Sequence, residues 1–342
     1  MNAKPKSSRP LGPEAKPFTL DVEILNALRG AGGSVSGAEI SQKLGVSRAA
    51  IWARIDDLRK LGYDIEASPH LGYRLLSTPD VLHADDLVSR LGKPGVIGRD
   101  IRVFEETTST NDVVEKLARD GVKEGAVVFA EAQTRGRGRL GRAWLSPARK
   151  GLWFSVLLRP NLLPIQATQL MVASATALRR AIHSETTLEV QIKWPNDILV
   201  RGRKVAGILT ELHAELDHIN HVIVGIGVDV NLNPGEFPAE LRKTATSLKA
   251  ELGKSISRPQ LAVAVLRELD RDYARLAQGR FNEVADEWVA HCATIGRRVV
   301  IRTGDREVRG LAESLGEDGA LLLRTEHGHL ERILGGDVTL EK

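Results

Sequence analysis

The sequence has almost no cysteine and no long hydrophobic run. Cys292 is the only cysteine in the 342 residues, so an intrachain disulfide is impossible. No stretch approaches the roughly 18 consecutive apolar residues that a membrane-spanning helix requires. No apolar segment that could act as a secretory signal follows the basic N-terminal residues either. We therefore expect a cytoplasmic protein without a membrane partner, and the single thiol fits a reducing compartment.

Several common nucleotide, metal and hydrolase motifs are also missing. The chain contains no G-x-x-x-x-G-K-[ST], so a P-loop does not hold ATP here. Its nine histidines show no H-E-x-x-H and no Cys/His zinc spacing, and we predict no metal site built by the protein. The G-x-S-x-G nucleophile elbow of α/β-hydrolases is absent as well.

Acidic residues are absent from residues 132–184, although this stretch contains nine arginines and lysines. The net charge of the whole chain is only +4, so the positive charge is concentrated rather than general. A basic region of this kind suits a polyanion such as nucleotide phosphate or nucleic acid. The alternative is a solvated surface that is basic by chance.

The N-terminal quarter has the pattern of a winged helix-turn-helix. Residues 1–17 are rich in Pro, Lys and Ser without periodicity and predict a disordered tail. Residues 18–78 follow with two strand-like runs, 63–67 and 73–76, after three predicted helices. The second helix opens with Ser36 and Glu39 as a capping box, and Ser47 caps the third. The inward stripes of the helices are Leu20/Ile24/Leu28, Ile40/Leu44 and Ile51/Ile55/Leu58.

The remaining residues predict two further domains, and the chain as a whole an α/β multidomain protein. Residues 80–293 read as a central α+β catalytic domain with a mixed, largely antiparallel sheet, because short turns join most of the strand-like runs. Residues 294–342 predict a small SH3-like β-barrel of short strands and glycine turns. The predicted central strands are 101–104, 126–132, 152–158, 190–194, 198–200, 205–212 and 222–230, and the helices are 111–119, 170–182 and a long one through 261–269.

The most unusual segment is Arg135–Arg142, in which glycine and arginine alternate. Glycine lets a backbone approach a ligand closely, and arginine offers forked donors to phosphate and carboxylate oxygens. Three interpretations compete. The glycines satisfy G-x-G-x-x-G, but Ser146-Pro147 follows where a dinucleotide-binding helix should begin. A disordered Arg-Gly tract for RNA is the second, and an ordered anion-binding loop, which we favour, is the third.

Two other polar segments lie at predicted strand ends. Lys193-Trp194-Pro195-Asn196-Asp197 places an ammonium group at the end of an apolar strand, where it could meet a carboxylate or phosphate. Residues 107–112 collect hydroxyls and an amide at a strand-to-helix junction, for which a simple N-cap cluster is the local interpretation. Trp144 could stack on a nucleobase, close over an apolar ligand, or belong to the core.

Together these segments resemble the biotin protein ligases, specifically the bifunctional class that is also the biotin-operon repressor. The resemblance runs in order from about residue 20 to residue 340. Two positions depart from the family pattern: Leu140 fills a variable position, and Val228-Asp229 stands where Ile-Asn is more usual. The motifs that carry the resemblance are Ser109-Thr110-Asn111, Gln133, Gly136–Arg142 with Trp144, Lys193–Asp197, Lys204–Leu209 and Gly225–Asn231.

This resemblance implies an ATP-dependent ligase that forms biotinyl-5′-AMP and transfers biotin to a lysine of biotin carboxyl carrier protein, a subunit of acetyl-CoA carboxylase. Mg²⁺ is implied as the companion of ATP. Arg137, Arg139 and Lys193 are the implied catalytic residues. The implied biotin site is Ser109, Thr110, Asn111, Gln133, Arg137, Gly138, Arg139 and Lys193. The implied ATP contacts are Arg142, Trp144, Asn196, Lys204 and Asn231.

The winged helix-turn-helix implies a second function as a biotin-responsive transcriptional repressor of biotin synthesis genes. In such domains the N-terminal residues of the third helix approach the bases of the major groove. Residues 19–78 carry seven basic and seven acidic side chains, which is weak electrostatics for a lone DNA-binding domain. The resemblance implies that biotinyl-AMP favours a homodimer that pairs two such domains on operator DNA. Our candidate DNA contacts are Ser36, Ser47, Arg48, Ala49 and Trp52.

Three alternatives remain open. The winged helix could serve protein contacts or stability. The whole chain could be a biotin-sensing DNA-binding repressor without catalytic activity, although the intact loop and Lys193 argue against that. It could also be a lipoate-ligase-like acyl-adenylate ligase, which the Arg-Gly loop and K-W-P-N-D disfavour.

Overall fold

The computed structural model of the chain describes residues 19–340. The predicted disordered tail, residues 1–17, therefore lies outside the described residues. Among residues 19–340, no helix is long and apolar enough to cross a membrane.

The first unit is a winged helix-turn-helix, as predicted. A core of aliphatic side chains from the three predicted stripes is buried between its helices and its two-stranded antiparallel sheet. The side chain of Ser36 accepts hydrogen bonds from the backbone N–H groups of Ala38 and Glu39, and Ser47 accepts one from Ala50. These caps begin the second and third helices where the sequence predicted. The elements are α1 (Leu20–Gly30), α2 (Gly37–Leu44), α3 (Arg48–Lys60), β1 (Asp64–Ser68) and β2 (Gly72–Ser77).

A short helix, α4 (Ala84–Leu91), joins this unit to the rest of the chain. Asp86 of α4 is buried and forms an ion pair with Arg29 of α1. Arg29 also donates to Ser89, which in turn donates to Asn26 at 2.7 Å. The contact between α1 and α4 is therefore largely polar.

The central unit is built on a seven-stranded sheet with the strand order β3-β4-β5-β9-β8-β7-β6. Only β3 and β4 pair in parallel, so the predicted mixed, largely antiparallel sheet is confirmed. The elements are β3 (Asp100–Thr107), α5 (Thr110–Arg119), β4 (Ala126–Gln133), β5 (Gly151–Leu158), α6 (Thr168–Thr186), β6 (Val190–Lys193), β7 (Asp197–Val200), β8 (Arg203–Ala214), β9 (Ile219–Asp229), α7 (Leu248–Leu252), α8 (Arg258–Ala277) and α9 (Phe281–Ala290).

Helices cover both faces of this sheet because its strands alternate apolar side chains toward each face. α6 and α8 pack over one face, which contains most of the core. α5 packs on the other face, where Val114 and Leu117 contact Val128, Leu157 and Ile223 of three strands. The N-terminal end of α5 is thereby fixed beside the central strands.

The last unit is a five-stranded antiparallel sheet with the order β13-β12-β11-β10-β14, which bears out the predicted SH3-like domain. Its buried side chains, among them Val299, Ile301 and Leu323, are continuous with the main core. The helices α4, α7 and α9 and the strand β14 (Asp337–Leu340) were not predicted as separate elements. The strands are β10 (Arg298–Thr303), β11 (Arg306–Leu315), β12 (Leu321–Thr325), β13 (Leu330–Ile333) and β14 (Asp337–Leu340).

Candidate active site

A cavity of about 630 Å³ lies beside the N-terminal end of α5. Every residue predicted to contact biotin or ATP lines it, with the exception of Asn231. The fold therefore brings together motifs that are spread over about a hundred positions of the sequence. These lining residues are Ser109, Thr110, Asn111, Gln133, Arg137, Gly138, Arg139, Arg142, Trp144, Lys193, Asn196 and Lys204.

The glycine-arginine segment forms a closed hairpin at one wall of this cavity. The N–H of Gly138 donates to the carbonyl of Arg142 at 2.7 Å, and the N–H of Trp144 donates to that of Gly136 at 2.8 Å. A side chain at Gly136 would collide with the Trp144 carbonyl. The segment contains only a short 3-10 turn (Arg139–Gly141) and is followed by β5, so it does not open a helix. This geometry favours the anion-binding loop over a dinucleotide fingerprint or a disordered tract.

The arginines of the hairpin have different partners. Arg137 lies 2.7 Å from Asp112 of α5 and 3.3 Å from Glu211 of β8. Arg142 forms an ion pair with Asp337 of the C-terminal sheet. Arg139 instead donates to oxygens that carry no formal charge, the side-chain oxygen of Asn196 and the Gly336 carbonyl.

The side chains of Arg139 and Lys193 consequently supply positive charge that no hydrogen-bonded or ion-paired carboxylate within residues 19–340 cancels. Burial lowers the pKa of Arg139, although Asp337 and Asp197 act in the opposite sense. Lys193 ends β6, and its side chain makes no hydrogen bond or ion pair to any residue in the range 19–340. Both cations line the same cavity and are available to an anionic ligand.

The turn after Lys193 is held by Asn196. Its Nδ2 donates to the Ile208 carbonyl at 2.7 Å, and its Oδ1 accepts from Arg139 at 3.3 Å. Lys193 and Asp197 are register partners of β6 and β7, so the K-W-P-N-D segment is a hairpin turn. The turn therefore links the second predicted motif to the arginine loop.

The hydroxyl and amide cluster at the start of α5 forms a buried polar network. Gln133 accepts from the N–H and the hydroxyl of Thr110 and donates to Ser146 at 2.9 Å. Ser155 hydrogen-bonds to both Thr110 and Asn111. Ser109 occupies the N-cap position but makes no side-chain cap hydrogen bond, which weakens the N-cap interpretation of this cluster.

One polar atom of this network is left without a partner. Nδ2 of Asn111 is buried, and no described residue accepts a hydrogen bond from it. An unpaired buried donor costs about 1–3 kcal/mol, so such a group at a cavity wall indicates a ligand acceptor. A side chain at Gly225 would collide with the Asn111 amide oxygen, which shows how closely β9 approaches α5 here.

Trp144 lines the cavity and also contacts the core. The Trp144 ring packs on Trp153 with 6.5 Å between ring centroids. Nζ of Lys204 lies 5.1 Å from the centroid of the Trp144 ring. Lys204 is also 2.6 Å from Asp197. Trp144 therefore both lines the cavity and packs against the core.

The prediction of Asn231 as an ATP contact is corrected, because Asn231 does not line the cavity. Its amide donates to the Ile256 carbonyl at 2.9 Å and to Asp80 at 3.1 Å, and its oxygen accepts from the Ile256 N–H at 3.0 Å. Its hydrogen-bonding groups therefore hold the chain between α7 and α8. The strand β9 ends at Asp229, and the turn that follows carries Asn231 away from the cavity.

The acid-free basic stretch does not form one continuous phosphate-binding surface. Only Arg137, Arg139 and Arg142 among its nine cations line the cavity. Arg180, for example, lies against α8 and α9, where Asp272 and Glu287 pair with it. The carboxylates that neutralise most of these cations come from other parts of the sequence.

Several residues of the cavity wall were not among the predicted ligand contacts. Asp229 is 5% exposed, and burial raises its pKa well above the ordinary value, opposed by Lys204. Residues 237–245 and 336–339 form further parts of the wall. No local pattern marks these segments, because they reach the cavity from loops and from the C-terminal sheet.

Comparison with known proteins agrees with this geometry. Residues 103–229 match the biotin/lipoate A/B protein ligase family, residues 23–74 an HTH domain and residues 294–340 the biotin protein ligase C-terminal domain. The bifunctional ligase/repressor BirA of Bacillus subtilis is 37% identical over 94% of this chain and 99% of its own length. That of Escherichia coli is 31% identical over 89% of this chain and 92% of its own length.

The chain belongs to the family of bifunctional biotin ligase/repressors. The biotin protein ligase of Aquifex aeolicus, solved in complex with biotin and ATP, superposes with a TM-score of 0.62. Its sequence is 32% identical, and the match covers 71% of this chain and 99% of that one. The match therefore leaves more than a quarter of this chain uncovered, which is more than the length of the N-terminal helix-turn-helix.

Four of the five DNA-binding candidates lie at the exposed N-terminal end of α3. Ser47, Arg48 and Ala49 are exposed there, and the Trp52 ring is 59% exposed. The side chain of Arg48 has no ion pair or hydrogen bond within residues 19–340. Ser36 is less exposed, and its hydroxyl oxygen already caps α2.

Proposed function

We propose that this chain activates biotin with ATP as biotinyl-5′-AMP and transfers the biotinyl group to a lysine of biotin carboxyl carrier protein. This proposal is supported above all by the convergence of Arg139, Lys193 and the Asn111 network in one cavity. Neither cation has a hydrogen-bonded carboxylate within residues 19–340. The solved relative binds biotin and ATP. The named full-length relatives are biotin ligases and repressors, which favours biotin over lipoate as substrate.

The chemistry requires two anions to react with each other. The biotin carboxylate attacks the α-phosphorus of ATP, an acyl-phosphate bond forms, and diphosphate leaves. Fixed positive charge in a partly enclosed site lowers the cost of bringing the anions together and is already oriented before reaction. We assign this role to Arg137, Arg139 and Lys193. The amide and hydroxyl groups of Ser109, Thr110, Asn111 and Gln133 then hold the ureido ring.

Arg137 has a different part from Arg139 in this scheme. Its pairs with Asp112 and Glu211 tie the hairpin to α5 and β8, and these carboxylates offset the effect of burial and raise its pKa. The pairs leave Arg137 charged but partly neutralised. We therefore infer that it positions the loop over the ligand, while Arg139 and Lys193 carry more of the charge stabilisation.

Mg²⁺ enters as the companion of ATP. The carboxylates that line the cavity are Asp197, Asp229 and Asp337, and two of them are paired with Lys204 and Arg142. This set fits a hydrated ion held chiefly by the phosphates of the nucleotide. The ion supplies charge that screens the leaving diphosphate.

The second half-reaction transfers biotin from the adenylate. The acceptor lysine attacks the carbonyl carbon, the acyl-phosphate bond breaks and AMP leaves. Until then the mixed anhydride must be protected from water. The closed hairpin of residues 136–144 is placed to cover it, since Arg139 and Trp144 both line the cavity.

A direct test uses the purified chain, MgATP, labelled biotin and a biotin carboxyl carrier domain. We expect labelled carrier, with release of AMP and diphosphate. A control reaction without ATP should give none. Tight biotin binding without any adenylate or labelled carrier would instead establish the non-catalytic repressor alternative.

Replacement of Arg139 by Ala tests the loop. We expect the adenylate to form slowly or to leak from the site, because the variant loses a cation that lines the cavity. Single-turnover assays with labelled ATP would separate formation from release. Arg135→Ala is the matched control, since Arg135 is an exposed arginine outside the cavity. Adenylate synthesis and retention equal to the wild type in Arg139→Ala would contradict the assignment.

We propose further that the chain represses biotin synthesis genes as a homodimer that forms when biotinyl-AMP is bound. The balanced charge of the winged helix favours paired half-sites over a single contact. Binding to neighbouring promoter DNA, with and without biotin and ATP, should strengthen together with dimer formation in sedimentation. Arg48→Ala should weaken that binding about tenfold, the effect of roughly 1.4 kcal/mol in one contact. Lys60→Ala, at the other end of α3, should not.

A further inference from the structure

Two histidines and a glutamate lie together outside the cavity, where α5 crosses the far ends of β8 and β9. His213 and His221 are register partners on the two strands. Their imidazole rings are stacked, with 4.3 Å between centroids and 12° between planes. Glu115 reaches them from α5. The spacing of histidines along the sequence gave no sign of this cluster.

One atom of the glutamate faces both rings. Oε2 of Glu115 lies 3.1 Å from Nε2 of His213 and 2.9 Å from Nε2 of His221. The three ligand atoms all lie within 4.8 Å of one another. The other carboxylate oxygen, Oε1, is 2.7 Å from Arg119 and is engaged there.

These separations suit a small cation. A tetrahedral ion with bonds of about 2.0–2.1 Å holds its ligand atoms roughly 3.3 Å apart. The two measured N···O separations are 0.2 and 0.4 Å shorter than that value. The two imidazole nitrogens lie within 4.8 Å of each other, and the nearly parallel rings must tilt toward one another to share one ion. Two imidazole nitrogens and one carboxylate oxygen are also a common donor set for zinc and related divalent metals.

Burial and charge support the same interpretation. His221 and Glu115 are largely enclosed, while the side chain of His213 is 43% exposed. Glu115 is hydrogen-bonded to His221 through one carboxylate oxygen and to Arg119 through the other. Glu115 and His221 are thus held in place, and the partly exposed His213 leaves the cluster open to solvent.

We propose that Glu115, His213 and His221 form a binding site for a divalent transition-metal cation of the zinc type, with its remaining coordination positions open to water. This proposal departs from the prediction that the chain builds no metal site. The alternative is a carboxylate that only accepts hydrogen bonds from two imidazoles.

The cluster is separate from the cavity but lies on the same elements. His221 is four residues from Gly225 on β9, or about 13 Å at the usual rise of a strand, and Glu115 is one helical turn beyond Asn111. Asp112 and Glu211, the partners of Arg137, lie between the two sites along α5 and β8. A bound ion would fasten α5 to β8 and β9 near the anchor of the hairpin.

The test is calorimetric titration of the untagged full chain with Zn²⁺, followed by Co²⁺ for its visible absorption. We expect one Zn²⁺ per chain and a Co²⁺ spectrum typical of nitrogen and oxygen ligands. His213→Gln and Glu115→Gln should each weaken binding at least tenfold. His218→Gln is the matched control, because His218 is an exposed histidine beside Asp217 on the adjacent turn, and it should bind as the wild type does.

Circular dichroism of each variant would show that it is folded, and His213, being half exposed, can be replaced without opening the core. The proposal is overturned if the folded wild type takes up no stoichiometric Zn²⁺. It is equally overturned if folded His213→Gln and the wild type bind Zn²⁺ with the same affinity, since the ion would then sit elsewhere.

Discussion

At the scale of single residues, the cations of the cavity differ in what already neutralises them. Arg139 and Lys193 have no hydrogen-bonded carboxylate within residues 19–340. A charge that is fixed but not cancelled acts most strongly on an anionic transition state. Three further cations of the cavity are paired: Arg137 with Asp112 and Glu211, Arg142 with Asp337, and Lys204 with Asp197. The cavity is also lined by Lys243, which is exposed to solvent.

Replacement of Lys193 by Gln should therefore slow adenylate formation about 10²–10³-fold, the usual cost of one such stabilising group. The fold should persist, because the Lys193 side chain makes no hydrogen bond or ion pair with any described residue. Diphosphate release under single-turnover conditions measures the effect. Lys254→Gln changes an exposed lysine outside the cavity and should leave the rate unaltered. A loss below threefold in Lys193→Gln would be inconsistent with its proposed role.

Asp229 sets a pH dependence of stability. Burial raises its pKa well above the ordinary value of 3.8, so the folded chain holds this proton more tightly than the unfolded chain. The associated stability is present below that ordinary value and is lost as the pH rises through the raised pKa. Asn is the more usual residue of the family at this position.

Asp229→Asn should consequently increase the free energy of unfolding at pH 7, and this gain should shrink as the pH falls toward 4. Urea denaturation at a series of pH values would measure it. Asp217→Asn changes an exposed aspartate whose pKa is lowered by His218, and it should bring no such gain. A pH-independent difference between Asp229→Asn and the wild type would refute the argument.

At the scale of elements, β8 and β9 are shaped by glycines that admit Trp144. A side chain at Gly227 would lie 2.5 Å from Nε1 of Trp144, and one at Gly207 would lie 3.0 Å from the same ring. These two glycines are register partners, so the two strands present a surface without side chains to the indole ring of Trp144. The hairpin that carries Arg139 packs on this surface through Trp144.

Gly227→Ala should displace Trp144 and weaken ATP-dependent adenylate formation, at a cost to stability of about 1–3 kcal/mol, typical of overpacking. Gly235→Ala is a suitable comparison, because a side chain there meets nothing within 4 Å. Thermal unfolding and KM for ATP would be measured for both. Equal behaviour of the two variants would show that the close approach has no consequence.

At the scale of the whole molecule, the DNA-binding unit contacts the catalytic unit through a buried charge. Asp86 of α4 pairs with Arg29 of α1 and lies 2.7 Å from Arg90 of its own helix. Asp86 is 1% exposed. Its loss would leave two cations without their carboxylate, which is more costly than the loss of an exposed pair.

Asp86→Ala should loosen the winged helix from the rest of the chain by about 1–3 kcal/mol, the cost of partners left unsatisfied. In scanning calorimetry we expect a separate transition for the N-terminal unit at lower temperature. Asp120→Ala, at the exposed end of α5, should keep the wild-type trace. An unchanged trace for Asp86→Ala would mean that other contacts hold the two units together.

Local chemistry in the sequence determined most of the elements and predicted most of the residues that line the cavity. The stripe Ile51/Ile55/Leu58 and the caps Ser36 and Ser47 have their effect within a turn or two, and the structure confirms them. The rarity of the motifs around Arg137, Arg139 and Lys193 carried the family resemblance, and so the function. Neither required knowledge of long-range packing.

Only the tertiary structure decided which carboxylate meets which cation. Asn231 follows the family motif, yet the turn after β9 directs it to Ile256, whereas Asp229 remains in the cavity wall. Glu115 and His221 are separated by about a hundred residues and meet because α5 lies across β9. Such pairings depend on the register and packing of distant elements, and no local pattern of residue types encodes them.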